Sequence, residues 1–196
     1  MPRPKLIADD DVLEAAGEII SRGGPTALTF AALGVKAKLS PATLVQRFGT
    51  REAMMRAALL RLWDELDKTT AAADARHPVD SDGAVGLLVQ LSAGYDRANE
   101  EDDDLAQGLL LLREDFRDPV LRARGAAWGE ALASALGRRL SPDPAAQATL
   151  GRLMASQWQG ALLWWGFFRA GTLRSYLRRE LREWCAIVLS RAAKTR

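Results

Sequence analysis

The chain has 196 residues, 48% of them hydrophobic and 27% charged, with 16 glycines and 8 prolines, which excludes a disordered or collagen-like chain and allows one substantial core or a small domain beside a larger one. A formal net charge of +2 is too near neutral to imply nucleic acid by itself, so the local distribution of charge carries more information than the total. No run reaches the about 20 apolar residues of a membrane helix, Met1 to Asp11 is polar and acidic, and Cys185 is the only cysteine, which predicts a soluble cytoplasmic protein without intramolecular disulfides or thiolate metal clusters.

At the start, Arg3 and Lys5 form a short basic arm suited to a phosphate backbone. Asp9, Asp10 and Asp11 then begin a helix, one of them as its N-cap, with acid at the positive end of the helix dipole. Its apolar stripe is Val12, Ala16, Ile19 and Ile20, and it stops at Gly23, Gly24 and Pro25. A second short helix is predicted from a Thr29 cap to Ala37, with Phe30 and Leu33 turned to a core and the small residues Ala31, Ala32 and Gly34 where two helices cross closely. The third is better specified, because Ser40 is a favoured N-cap and Pro41 follows at the first helical position, where a missing N–H costs nothing. From there Leu44 and Phe48, four apart, share an inward face, while Thr43, Gln46 and Arg47 project outward. Two short helices joined by a tight turn have the shape of a helix-turn-helix, whose second helix enters the DNA major groove. Between positions 34 and 61 the charged residues are Lys36, Lys38, Arg47, Arg51, Arg56 and Arg61 against Glu52 alone, a sign that suits phosphate contact.

The run LSPATLVQRFGTREAMM, with Ala15 and Ala16 before it, resembles the turn, recognition helix and fourth-helix start of the tetracycline-repressor (TetR) family of bacterial transcription regulators. Lys38 stands where that family usually places Gly in the turn, and Val45 where a Tyr commonly contacts phosphate. The resemblance implies an all-α fold of about nine helices, with a DNA-binding domain over residues 1–68 and a ligand-binding and dimerisation domain over 69–196. It also implies a homodimeric repressor released from its operator, an inverted repeat of double-stranded DNA, by a small molecule. On that reading Pro41, Ala42, Thr43, Gln46 and Arg47 face the major groove, with methyl contacts from Ala42 and Thr43 to thymine and a guanine contact from Arg47. Lys36, Lys38 and Arg51, with the helix starts at Thr29, Ser40 and Thr50, hold phosphates.

Thr50 caps a fourth helix whose apolar line runs through Met55, Leu59, Leu62 and Leu66 and which ends near Lys68. Trp63, one residue off that line, either covers the core edge or reaches a pocket. Residues 69–83, with Pro78, Gly83 and several acids, are expected to form a loop and domain boundary, with His77 solvated. A helix over 84–98 places Ala84, Leu87, Leu88, Leu91 and Tyr95 on one face, the acidic run Glu100 to Asp104 forms a solvated turn, and Leu109 to Leu112 are expected to be covered on several sides. Asp118 and Pro119 start a longer helix with the stripe Leu121, Trp128, Leu132 and Ala135, ending near Leu140.

Two long helices close the chain. From about Ala145 to Phe168 the apolar positions Leu150, Leu153, Trp158, Leu162, Trp165 and Phe168 are joined by Leu163, Trp164 and Phe167, more than one monomer readily buries. The last helix sets Leu173, Leu177, Leu181, Trp184 and Val188 opposite Arg174, Arg178, Arg182 and Arg191. A four-helix bundle across a two-fold axis would bury both stripes, with Trp164, Trp165, Phe168, Leu177, Leu181, Trp184 and Val188 at the dimer interface; a large intramolecular core is the alternative. The ligand candidates are Trp63, Leu91, Tyr95, Leu109, Arg113, Trp128, Trp158 and Leu162, each of which also serves as plain core, and such a lining implies an apolar or aromatic ligand. Glycine-rich phosphate loops, HExxH and CxxC patterns are absent from the sequence, so no catalytic residue, metal site or cofactor is expected. A ligand-independent DNA-binding protein and a helical protein-interaction module remain as other readings.

Overall fold

A computed structural model describes residues 7–95 and 104–194; the basic arm at Arg3 and Lys5 and most of the acidic run at 100–103 lie outside the described residues. These form nine helices and no strand: α1 (Asp9–Ala27), α2 (Phe30–Ala37), α3 (Pro41–Phe48), α4 (Arg51–Arg76), α5 (Ser81–Leu91), α6 (Asp104–Arg117), α7 (Pro119–Leu140), α8 (Pro144–Phe168) and α9 (Leu173–Lys194). Two compact units divide the chain, one of Met1–Leu66 with Glu100–Gly125, the other of Asp67–Asn99 with Ala126–Arg196.

In the first unit the predicted stripes converge. Val12, Ala16 and Ile20 of α1, Leu33 of α2, Leu44 of α3 and Met54 and Ala58 of α4 are fully buried together, with Phe30 and Phe48 packed at the edge. Helices of eight residues, as α2 and α3 are, do not persist alone in water, so this shared core is what holds them. At Gly24 (φ 70°, ψ 179°) α1 breaks where the Gly-Gly-Pro run predicted, and one further turn follows. The N-cap differs from expectation: Ala8 occupies it without a side-chain bond, and the three aspartates lie inside the first turn, two of them drawn into ion pairs described below. The four leucines of α6 are also not covered as expected. Leu111 packs on the core, but Leu109, Leu110 and Leu112 are 47%, 46% and 40% exposed, because a helix resting on one neighbour buries one face only.

The expected loop over 69–83 is mostly helix. α4 continues through Thr70 and Ala73, both buried, to Arg76, since the alanines at 71–73 and 75 favour helix and outweigh the polar residues among them. Only 77–80 link it to α5, whose N-cap is Asp80, accepting from the Gly83 N–H at 2.7 Å. α5 in turn stops at Leu91 and not at 98: Ser92 bonds back to the Leu88 carbonyl at 2.9 Å, and Gly94 follows. His77 is not solvated but half-buried, its Nε2 3.0 Å from Gln90 Oε1 and its ring seated against Gly86, where a Cβ would collide with it.

The second unit is held by two devices. Gly137 of α7 and Gly151 of α8 let those helices meet backbone to backbone, so that a Cβ at Gly151 would fall on the Ala133 carbonyl and one at Gly137 on that of Gln147. Arg139, its side chain 1% exposed, pairs with Asp74 and donates to the carbonyls of Asp74 (2.7 Å), His77 (3.0 Å), Pro78 (3.0 Å) and Ala135 (2.9 Å). One buried guanidinium thus satisfies the Asp74 carbonyl in the last turn of α4 and the carbonyls of His77 and Pro78 just beyond it.

Candidate DNA-reading head and ligand site

Thr29 caps α2 by accepting from Ala32 N–H at 3.0 Å, and Ser40 caps α3 by accepting from Thr43 N–H at 3.1 Å, its oxygen also 2.8 Å from Thr43 Oγ1. Between them Lys38 adopts the left-handed conformation (φ 54°, ψ 42°) expected of the turn, and its N–H closes onto the Gly34 carbonyl. Gly34 is required there: a Cβ would stand 2.8 Å from the Leu39 carbonyl oxygen. With Leu44 buried, α3 exposes Pro41, Ala42, Val45 and Gln46 and half-exposes Thr43. Thr50 caps α4 through Ala53 N–H at 3.1 Å.

The basic residues are placed differently from a free positive surface. Arg47 donates to the Ile7 carbonyl (2.9 Å) and to Asp9 (3.0 Å), leaving its side chain 19% exposed. Arg51 donates to the carbonyls of Leu28 (3.0 Å) and Pro25 (2.8 Å). Lys36 pairs with Glu18 at 2.5 Å, which holds that carboxyl below its usual range; Arg56 pairs with Asp118, and Arg61 with Asp10, Glu14 and Glu65. Acids on α1, far outside the 34–61 window, therefore neutralise much of the charge counted within it. Lys38 is exposed and has no side-chain partner among the described residues.

The eight ligand candidates divide between the two units. In the second, Trp128 and Trp158 are buried with ring centroids 6.4 Å apart. Trp128 donates to Thr70 Oγ1 at 3.0 Å and Trp158 to Ser92 Oγ at 2.8 Å, so both indole N–H groups are satisfied internally, as core tryptophans require. Leu162 is buried and Leu91 and Tyr95 half-buried. In the first unit Leu109 and Arg113 are exposed, while Trp63 is half-buried and donates to Asp115 at 3.1 Å. Asp115, absent from the sequence-based candidates, is 8% exposed, and burial pushes its carboxyl above the usual range. Its position between charged neighbours in REDFRD hides it, since nothing in that run says which acid turns inward. An open cleft of about 300 Å³ lies elsewhere in the second unit, lined by Ser81, Asp82, Val85, Arg182, Cys185, Ala186 and Leu189, and none of the eight candidates borders it. Burial raises the Cys185 thiol to about 11, which keeps it a neutral, small hydrophobe.

Of the residues assigned to a dimer interface, Leu177 and Leu181 are fully buried in the second unit and Trp165 is 8% exposed, so these three are core; Trp165 donates to the Gly171 carbonyl at 3.2 Å beneath the Arg169 guanidinium. Trp184 and Val188 are half-buried. Trp164 (54%) and Phe168 (62%) are exposed, stacked at 5.5 Å, and Phe167 (72%) joins them at 5.7 Å. Among the described residues no helix is long and apolar enough to cross a membrane, and no group of acids, His or Cys could hold a metal ion.

Residues 12–58 match the family described as bacterial regulatory proteins, tetR family. No curated protein matches the chain in sequence. Solved structures match its fold: a transcriptional regulator from Rhodococcus sp. Rha1 (TM-score 0.72, 16% identity, 93% of this chain and 97% of that one), a putative transcriptional regulator from Saccharomonospora viridis in complex with choline (0.66, 17%, 88% and 92%), and the multidrug binding protein EbrR complexed with proflavin (0.64, 19%, 88% and 96%). Residues 12–58 thus carry the match to the tetR family of bacterial regulatory proteins, and the chain as a whole shares the fold of these solved structures.

Proposed function

We propose that the protein is a homodimeric, sequence-specific repressor that leaves its operator when a small molecule binds. The observation that carries the reading is the outward face of α3: a helix capped at Ser40, anchored by buried Leu44, and exposing Ala42, Gln46 and part of Thr43. Those side chains suit base edges, Gln46 for adenine and the methyls of Ala42 and Thr43 for thymine. Lys38 and the N–H groups at the starts of α3 and α4 suit phosphates. Arg47 and Arg51, tied to Asp9 and to backbone carbonyls, better fit a bracing role, so the guanine contact of Arg47 is dropped from the proposal. Two copies of α3 about 34–36 Å apart would meet successive major grooves, and the exposed Trp164, Phe167 and Phe168 supply an apolar surface for the second copy. A ligand that favours a dimer of different spacing lowers DNA affinity by its differential affinity for the two states. The complexes with choline and proflavin in proteins of the same fold support a small-molecule effector.

Selection from random duplexes, followed by a salt titration on the winning sequence, tests the reading. The expected result is an inverted repeat, a log–log slope matching about six to ten phosphate contacts, and loss of preference at one symmetric base pair on Gln46→Ala. Sequence-blind, shallow binding would overturn it in favour of a protein-interaction module.

A further inference from the structure

The open cleft of the second unit lies between α5 and α9, apart from the eight ligand candidates read from sequence. Asp82 and Val85, three apart on α5, meet Arg182, Cys185, Ala186 and Leu189, which recur along one side of α9. Its volume of about 300 Å³ is at the lower end of the roughly 300–1,000 Å³ of ligand pockets, so it suits a compact molecule. Val85, Cys185, Ala186 and Leu189 make the walls apolar, the first two being 3% and 6% exposed.

The rim of the cleft carries both signs of charge. Arg182 reaches from α9 to Asp82, with Nη2 at 3.1 Å and Nε at 3.2 Å from the same oxygen, Oδ1. Among the described residues no donor reaches Asp82 Oδ2, and the Ser81 hydroxyl has no hydrogen-bond partner. The two charged side chains are 63% and 72% exposed, and an ion pair in that setting contributes little to the fold and opens at little cost. These groups narrow the ligand. A metal ion does not fit, because one carboxylate cannot replace its hydration shell. A monocation at Asp82 faces the like charge of Arg182, and a monoanion at Arg182 faces that of Asp82. A zwitterion with a short apolar chain meets every group: its ammonium suits Asp82 Oδ2 and the Ser81 hydroxyl, its carboxylate the remaining N–H groups of Arg182, and its chain the walls.

We propose that the α5–α9 cleft is a site for a compact zwitterion with a short apolar chain, the chemistry of a free aliphatic α-amino acid, and that Asp82 and Arg182 read its two charges. The site goes beyond the operator reading and does not depend on it.

The test is titration calorimetry on the full chain, in slightly acidic buffer, with L-leucine, with leucinamide, which lacks the negative charge, and with N-acetylleucine, which lacks the positive one. Wild type is expected to bind leucine about threefold to fivefold more tightly than either analogue, the size of one exposed charge contact. Arg182→Gln should abolish the preference over leucinamide, and Asp82→Asn the preference over N-acetylleucine. Arg182→Lys and Asp82→Glu, which keep the charges, should retain both preferences. All four substitutions fall on exposed side chains, and melting temperature checks that the variants keep the fold. No leucine binding by wild type, equal binding of the three compounds, or preferences unchanged in Arg182→Gln and Asp82→Asn each overturns the site. Operator selection without added amino acid is independent of these titrations, so the DNA-binding reading stands or falls separately.

Discussion

Lys38 carries a backbone cost that its sequence position already announces. At φ 54° and ψ 42° it occupies the left-handed region, which disfavours a Cβ by about 1–2 kcal/mol. Lys38→Gly should therefore raise the denaturation midpoint, offset in part by glycine's greater unfolded freedom, for a net gain of about 1 kcal/mol; urea unfolding measures it. DNA affinity should fall in the same variant if the lysine holds a phosphate, so stability and binding move in opposite directions. Asp115 makes a pH prediction. A carboxyl whose folded-state pKa is raised binds its proton more tightly when folded, so ionisation costs stability above that pKa and the cost disappears as pH falls through it. Asp115→Asn should melt higher than wild type at neutral pH, and the gap should close on acidification. A gap that widens towards low pH would contradict the assignment. Asp118, held below the usual carboxylate range by Arg56 and by the Val120 and Leu121 N–H groups, titrates in the same neighbourhood, and comparing the variant with wild type cancels its contribution.

Among the elements, α7 and α8 show how a close crossing depends on missing side chains. Gly151 faces the Ala133 carbonyl and Gly137 that of Gln147, so Gly151→Ala must push two helix backbones apart. The expected cost is about 2–3 kcal/mol, the size of other overpacked cores, and despite alanine's better helix propensity. Chemical denaturation of the variant checks it, with Gly129→Ala on α7 as the control, because a Cβ there meets nothing within 4 Å. The α4 terminus is held by another device, the buried Arg139, whose donors reach carbonyls at Asp74, His77 and Pro78. This explains how a helix of 26 residues ends cleanly where no glycine supplies a cap.

For the whole molecule, self-association turns on which half of each stripe the chain buries itself. Leu177, Leu181 and Trp165 are internal, whereas Trp164, Phe167, Phe168 and Ile187 are 54%, 72%, 62% and 51% exposed. Stacked aromatics left in water on one helix end are a surface with unspent burial energy. Trp164→Glu should shift the sedimenting species to monomer without lowering the melting temperature of the monomer fold, and should reduce operator affinity by more than about tenfold, because one half-site contact remains. Glutamate at Leu177 should instead unfold the second unit.

The sequence by itself determined the helical order and several helix starts: the caps at Thr29, Ser40 and Thr50 and the proline starts at Pro41 and Pro119. Each of these depends on bonds spanning two to four residues, so the chain's local order suffices to read it. The reading head was legible for the same reason, as two capped helices around Gly34. Charge was not, because Arg47 meets Asp9 across 38 residues, Arg61 meets Asp10 across 51 and Arg56 meets Asp118 across 62, and no window contains both partners. The direction of Asp115, the internal place of Leu177 and the exposure of Trp164 were likewise decided only by tertiary structure. Periodicity says which residues share a helix face, but only the packed neighbour decides whether that face meets protein or water.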